Sequence, residues 1–340
     1  MLQLRTDKII FLGAEWMRPS VLKAGDEIRV IAPSRSLAIV KGDQRSLAEE
    51  RLKNMGFKVT YGKTAFQHDD FFSNPIEARI NDLHDAFEDQ AVKGILTAVG
   101  GYNSNQLLRY IDFELIEDNP KVWMGYSDIT ALSLAIYKKT GLYTYSGPFF
   151  STFGMKAGHE YTVEYFKKAV MRDEVFELAE SETWSEDSWH LESKNRTLHP
   201  NDGYQILQEG DGEGTIIAGN LSTIHLLQGT DYMPSLKDSI LFLEEVEESH
   251  PFNFDRLLQS LLHLQDAAGI KGIVLGRFQK ETGMTPFALS EIISSKRELA
   301  GIPVIADANF GHVHPFATIP VGGKAKMSAV NGRASVFIQQ

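Results

Sequence analysis

The sequence predicts an α/β protein of two units: an N-terminal, mostly parallel sheet with helices on both faces, and a C-terminal mixed α/β domain. Three observations carry this expectation. Strand-like and helix-like patterns alternate through the first half, a polar stretch interrupts them near the middle, and 340 residues suggest two cores at about 150 residues per domain.

In the first half, GDEIRVIAPS (25–34) reads as a strand ending in a loop, and DQRSLAEERLKNMGF (43–57) as a helix stopped by Gly56. KVTYG, the helix NPIEARINDLHDAFED (74–89), the strand KGILTAVGG (93–101) and the helix NSNQLLRYID (103–112) follow. This is the rhythm of βαβ crossovers, in which functional groups gather beyond the carboxyl ends of the strands. Residues 32–36, 100–103 and Ser127 are all expected along that edge. The polar stretch 171–202, with two tryptophans among acids, reads as a linker and a long loop. Beyond it come the strand-like YQILQ, GTIIAGN and SILFLEEVEE, the helix NFDRLLQSLLHLQDAAG, then GIVLGRF, PVIADANF and two closing strands, IPVGGKAKMSAV and ASVFIQ. The expected division is an N-terminal extension (1–18), a first domain (19–170), the linker and loop (171–202) and a second domain (203–340).

Composition excludes several classes of function. A net charge of −11 and the lack of any Lys/Arg cluster argue against a nucleic-acid partner. Zero cysteines exclude disulfides, thiolate nucleophiles and Cys-ligated zinc, leaving oxygen or nitrogen for any nucleophile. Residues 9–12 are too short for a signal-peptide core, and no run approaches the roughly 18 apolar residues that span a membrane. A cytoplasmic protein without a membrane partner is expected. Residues 1–16 read as an extension, or as a start misassigned ahead of Met17.

The segment VWMGYSDITALSLAIYKKTG (122–141) carries the first chemical signal. A short apolar strand turns at Gly125 and Tyr126 into a helix marked by Ile129, Leu132 and Ile136, and Ser127 stands at the joint. Such a turn lifts one side chain clear of the backbone, next to the free N–H groups of the first helical turn. Ile129 occupies the place of the second Gly of GxSxG, so the same pattern also fits a Ser127 or Asp128 that only caps the helix.

A nucleophilic serine needs a base and an acid that orients it. In SILFLEEVEE, alternation sets Glu244 among Ile240, Phe242 and Val246, whereas Glu245 shares a face with Glu247 and reads as part of a solvated rim. Glu244 is the candidate acid, with a structural salt bridge as the alternative. In ANFGHVHPFATIP, His312 and His314 share a face of an extended chain, so alternation cannot choose between them. No Asp/His set accompanies their spacing to suggest a metal. His250 and His263 adjoin a helix and read as capping or packing residues. Gly100 and Gly101 end a strand, and their N–H groups could complete an oxyanion hole with that of Asp128, or simply form a tight turn.

Taken together, VGGYNSNQLL, MGYSDITAL, GTIIAGNLSTIHLLQGTDYMP, ILFLEEVEE with FDRLLQSL, and FGHVHPFATIPVG resemble the LD-carboxypeptidase family of serine peptidases, which includes the microcin C immunity proteins. The resemblance runs from about Pro19 to the C-terminus. It implies a flavodoxin-like N-terminal domain, usually a homodimer, and a Ser-Glu-His triad across the domain interface. Carried over by motif, the nucleophile is Ser127, the acid Glu244 and the base His312, with the N–H groups of Gly101 and Asp128 as oxyanion donors. Glu245 replaces a common Asp, and Ala218 stands where a GGN motif usually begins, beside Asn220. No cofactor or metal is implied. Gly100, Trp184, Trp189 and Asn220 are the expected substrate-binding residues.

SETWSEDSW resembles the immunity branch, in which an aromatic residue over the site stacks on a nucleobase; the alternative for Trp184 and Trp189 is a pair of hydrophobic anchors. The expected substrate is therefore a small peptidyl- or aminoacyl-nucleotide. Murein tetrapeptides losing a terminal D-Ala are the enzymatic alternative, and a non-catalytic peptide- or nucleotide-binding module the alternative of another class.

Overall fold

Apolar, β-branched runs bounded by turn residues form two sheets in the computed structural model, which describes residues 17–188 and 196–340. The expectations for residues 1–16 and for Trp189 lie outside the described residues. The first sheet has the spatial order Lys58–Tyr61, Glu27–Ile31, Val92–Thr97, Val122–Met124, Thr144–Ser146, all parallel, with Ile319–Val321 added antiparallel at the edge. Its five parallel strands follow the flavodoxin-like order 2-1-3-4-5. The second sheet runs Phe176–Glu177, Arg333–Gln339, Lys324–Val330, Gly210–Asn220, Ser239–Glu244, Gly272–Gly276, Val304–Ala308, Gln205–Gln208. Its four strands from Gly210–Asn220 to Val304–Ala308 are parallel to one another, and the outer strands are antiparallel.

The strand ends place the expected edge. Glu27–Ile31, Val92–Thr97 and Val122–Met124 stop just before residues 32–36, 100–103 and Ser127. Parallel strands covered on both faces bury continuous apolar runs, and Val122–Met124 and Ser239–Glu244 are buried at every position.

Three local expectations are corrected. NSNQLLRYID is not one helix but a 3-10 turn, Ser104–Leu107, followed by a separate helix, Phe113–Asp118. Asp112 accepts from the Leu115 N–H at 3.0 Å and so starts a new helix there. The segment IPVGGKAKMSAV is not one strand: Ile319–Val321 completes the first sheet and, past Gly322 and Gly323, Lys324–Val330 joins the second. The polar stretch 171–202 is more than a linker, since Phe176–Glu177 edges the second sheet and Thr183–Trp184 pairs with His199–Pro200. Met17 is tied in as well, its N–H donating to Gly141 O at 3.2 Å. No helix among the described residues is long and apolar enough to cross a membrane.

Candidate active site

Ser127 follows the strand Val122–Met124 and opens the 3-10 turn Ser127–Ile129, which continues into the helix Thr130–Thr140. Its φ of 57° lies in the left-handed region, a conformation that costs a non-glycine residue roughly 1–2 kcal/mol and is the strained turn expected of a nucleophile elbow. The next residue locks that turn. The buried Asp128 carboxylate accepts from Ser34 Oγ at 2.6 Å and from the Ser104 N–H at 2.9 Å, and Ser104 Oγ donates to Asp128 O at 2.7 Å. Three strand-end loops of the first sheet are thereby joined beneath Ser127.

The second sheet contributes the facing groups. His312 Nδ1 pairs with Glu244 Oε2 at 2.5 Å, and His312 Nε2 lies 3.1 Å from Ser127 Oγ. Gly311 makes the first contact attainable: a Cβ there would stand 2.6 Å from the Glu244 Cβ, and its φ of 96° suits glycine. Burial by itself would lower the His312 pKa, but the charge and hydrogen bond of Glu244 outweigh it and raise the value above 6.5, with smaller contributions from Glu245 and Glu248. Tyr126 packs its ring 5.1 Å from that of His312 and 4.2 Å from that of Phe149, walling one side of the imidazole.

Glu245 is not on a solvated rim. It is as buried as Glu244, each 2% exposed, because the strand before it is covered on both faces. Its carboxylate accepts from Ser222 N and Ser222 Oγ, both at 2.7 Å, at the start of the helix Leu221–His225. Burial, opposed by the Ser222 bonds, raises its pKa. His314 also lines the cavity over Ser127; its backbone bridges Ser185 (2.7 and 2.9 Å) and its ring lies 5.2 Å from Phe316. His250 and His263 flank the helix Pro251–Leu262, as expected.

A cavity of about 550 Å³ opens over Ser127 and His312 and is also lined by Gly100, Gly101, Tyr126 and Phe149. Loops of the first sheet add the cations Arg35 and Lys41, while the opposite side carries Glu186, Asp187, Glu247 and Glu248. Gly101 has room for no side chain, since a Cβ would meet Ser34 Oγ at 2.2 Å. Among the described residues, no backbone or side-chain acceptor takes the N–H of Gly101 or of Asp128.

Two expected substrate contacts fall away from the cavity wall. Trp184 packs against His199 (rings 4.6 Å apart), with Arg277 and Lys280 at 4.9 and 5.1 Å from its ring. Asn220 caps the helix Leu221–His225, its Oδ1 accepting from Thr223 N and Oγ1 at 2.9 Å. Sequence reasoning missed Ser34, Arg35 and Ser104. The loop 32–36 was placed at the right edge, but nothing in IAPSRS distinguishes a residue that braces the elbow from an ordinary turn serine.

Residues 28–147 match the model of the LD-carboxypeptidase N-terminal domain and residues 213–327 that of the C-terminal domain. The chain belongs to the LD-carboxypeptidase family. YocD of Bacillus subtilis (strain 168), named as a carboxypeptidase, is 48% identical over 95% of this chain and all of its own length. Another protein of that organism, named as a murein peptide carboxypeptidase, is 30% identical over 94% of each chain. Among solved structures, an MccF-like protein from Bacillus anthracis str. Ames is similar at a TM-score of 0.94 and 51% identity, covering 95% of this chain and 99% of that one. Microcin C7 self-immunity protein MccF in complex with aspartyl sulfamoyl adenosine superposes at 0.84 with 29% identity, covering 95% and 98%. As a member of the LD-carboxypeptidase family, the protein is a hydrolase acting on amide bonds.

Proposed function

We propose that this LD-carboxypeptidase relative is a serine carboxypeptidase or amidase, cytoplasmic and homodimeric, that cleaves peptidyl- or aminoacyl-nucleotide compounds of the microcin C type. The observation that carries the reading is His312, within bonding reach of Ser127 Oγ on one nitrogen and of Glu244 on the other. His312 Nε2 takes the Ser127 proton as Oγ attacks the amide carbonyl, while Glu244 stabilises the imidazolium. The N–H groups of Gly101 and Asp128 receive the oxyanion. As the C–N bond breaks, His312 returns the proton to the leaving nitrogen. A water deprotonated by the same imidazole then hydrolyses the acyl-enzyme.

The likeness to MccF, whose structure holds aspartyl sulfamoyl adenosine, supports a nucleotide-bearing substrate. Because Trp184 is engaged by Arg277, Lys280 and His199, the aromatic faces this reading relies on within the cavity are Tyr126 and Phe149. That same engagement of Trp184 favours a second reading, removal of the terminal D-Ala of murein tetrapeptides, which needs no base-stacking platform.

The two are separated by offering an aminoacyl sulfamoyl adenosine and an L,D-tetrapeptide side by side, with Ser127→Ala as control. Turnover of the nucleotide, lost by about 10⁴-fold or more in Ser127→Ala, is the expected result. Hydrolysis of the tetrapeptide alone would transfer the assignment to the second reading. An active-site serine phosphonate tests catalysis itself, because a binding module does not react with it.

A further inference from the structure

Arg35 stands out among the cavity-lining groups. Its stem packs on Gly101, where an added Cβ would lie 2.7 Å from Arg35 Cγ, and its guanidinium sits over the Phe72 ring at 5.9 Å. Arg35 Nε is shut off from solvent with no hydrogen-bond partner, and no carboxylate pairs with the guanidinium among the described residues. Among the described residues, the other lysine or arginine on the wall, Lys41, has an interaction of its own. The backbone around Arg35 is fixed: its N–H donates to Gly100 O at 3.3 Å, Ser34 holds Asp128, and Ser36 Oγ donates to Ala65 O at 3.1 Å. A rigidly mounted arginine on the cavity wall with no carboxylate partner among the described residues is a ready fork for an oxyanion.

Position says which oxyanion. A Cβ on Gly100 would lie 3.3 Å from Ser127 Oγ, and one on the next residue touches the Arg35 stem. Nucleophile and arginine thus flank consecutive residues of the same turn, Gly100 and Gly101, and the guanidinium extends beyond the stem that packs there. A carboxypeptidase must distinguish the last amide bond from internal ones, and the group that marks it is the carboxylate one residue past the scissile carbonyl. We propose that Arg35 recognises the anionic group immediately beyond the scissile nitrogen: the terminal carboxylate of a peptide, or the phosphoryl or sulfamoyl linkage of an aminoacyl nucleotide. The inference rests on the amide-hydrolase reading of the Ser127 site, and makes Arg35 the residue that confers exo-specificity.

Binding to the Ser127→Ala protein, measured by calorimetry, tests it independently of turnover. In the peptide arm the ligands are an L,D-tetrapeptide and its C-terminal carboxamide; in the nucleotide arm, aspartyl sulfamoyl adenosine and an analogue with a neutral linker. The expected result is a preference for the anionic member of about ten- to a hundredfold in at least one arm. Arg35→Gln removes that preference while leaving the neutral ligand's affinity within about twofold, and Arg35→Lys, with charge but no fork, keeps part of it. In the active enzyme the same substitution raises KM for the anionic substrate far more than it lowers kcat. Equal binding of both members in both arms, or Arg35→Gln weakening them in parallel, overturns the proposal, as does an effect confined to ligands with an acidic acyl side chain. Should Ser127→Ala instead retain full hydrolysis, the catalytic reading fails, whereas the ratio of anionic to neutral binding still reports on Arg35.

Discussion

The two walls of the cleft position the proposed reactive groups by opposite means. On the first-sheet wall the backbone does it: Ser127 is held at a left-handed φ, and Asp128, Ser34 and Ser104 pin the turn through buried bonds. On the second-sheet wall side chains do it: Glu244 and His312, 68 residues apart, meet through one short hydrogen bond, and Glu244 Oε1 has no partner among the described residues. The first arrangement stores strain and depends on geometry, while the second concentrates charge in a poorly solvated place. Damage to the first should therefore show in stability and kcat together, and damage to the second in the pH profile.

Removing the charge of the second wall is the larger perturbation. Glu244→Gln is expected to lower kcat/KM by about 10²–10⁴, because an amide holds the imidazole without stabilising its cationic form. The pH dependence gives the sign. In the proposed mechanism His312 works as a base only when neutral, so its raised pKa is expected to move the acid limb of kcat/KM up from the ordinary histidine range. Without the Glu244 charge, burial dominates, the pKa falls, and the residual activity extends to lower pH. An acid limb that stays in place in Glu244→Gln would break the contrast between the walls.

On the first wall the corresponding test is Asp128→Ala. The Ser104 N–H loses its acceptor in a buried setting, which costs about 1–3 kcal/mol. The loosened turn also displaces the proposed oxyanion donors, for an expected ten- to hundredfold fall in kcat. Asp128→Asn, which keeps a carbonyl acceptor, should recover part of both. Thermal melting and steady-state kinetics on the two variants would show whether stability and kcat move together, with the acid limb unchanged.

The same division explains what could be read from the sequence. Strand ends, the joint at Ser127 and the residue before the central turn of the second sheet are matters of periodicity and turn chemistry, and they were legible. Glu244 and Glu245 were not distinguishable by exposure, since alternation assumes one wet face and this strand has none. Choosing His312 over His314 took the family resemblance, because extended residues two apart share a face and it is the long-range contacts of His312 with Glu244 and Ser127 that separate them. Trp184 looked like a platform for a base because local sequence cannot show that Arg277 and Lys280, some 90 residues on, approach its ring. The transfer of Ile319–Val321 to the first sheet was hidden for the same reason.

The smallest expected effect is also the most specific to the first wall. If Ser127 is held under backbone strain, Ser127→Gly should be more stable than Ser127→Ala, since both lack the hydroxyl and only glycine occupies a φ of 57° without penalty. Glycine's greater freedom in the unfolded chain offsets part of that gain, leaving about 1 kcal/mol, or roughly 2 °C in Tm. The comparison is made between two inactive variants, so it isolates strain from catalysis. Equal melting temperatures would mean that the elbow is relaxed, and that the first wall, like the second, relies on side-chain contacts to aim its reactive group.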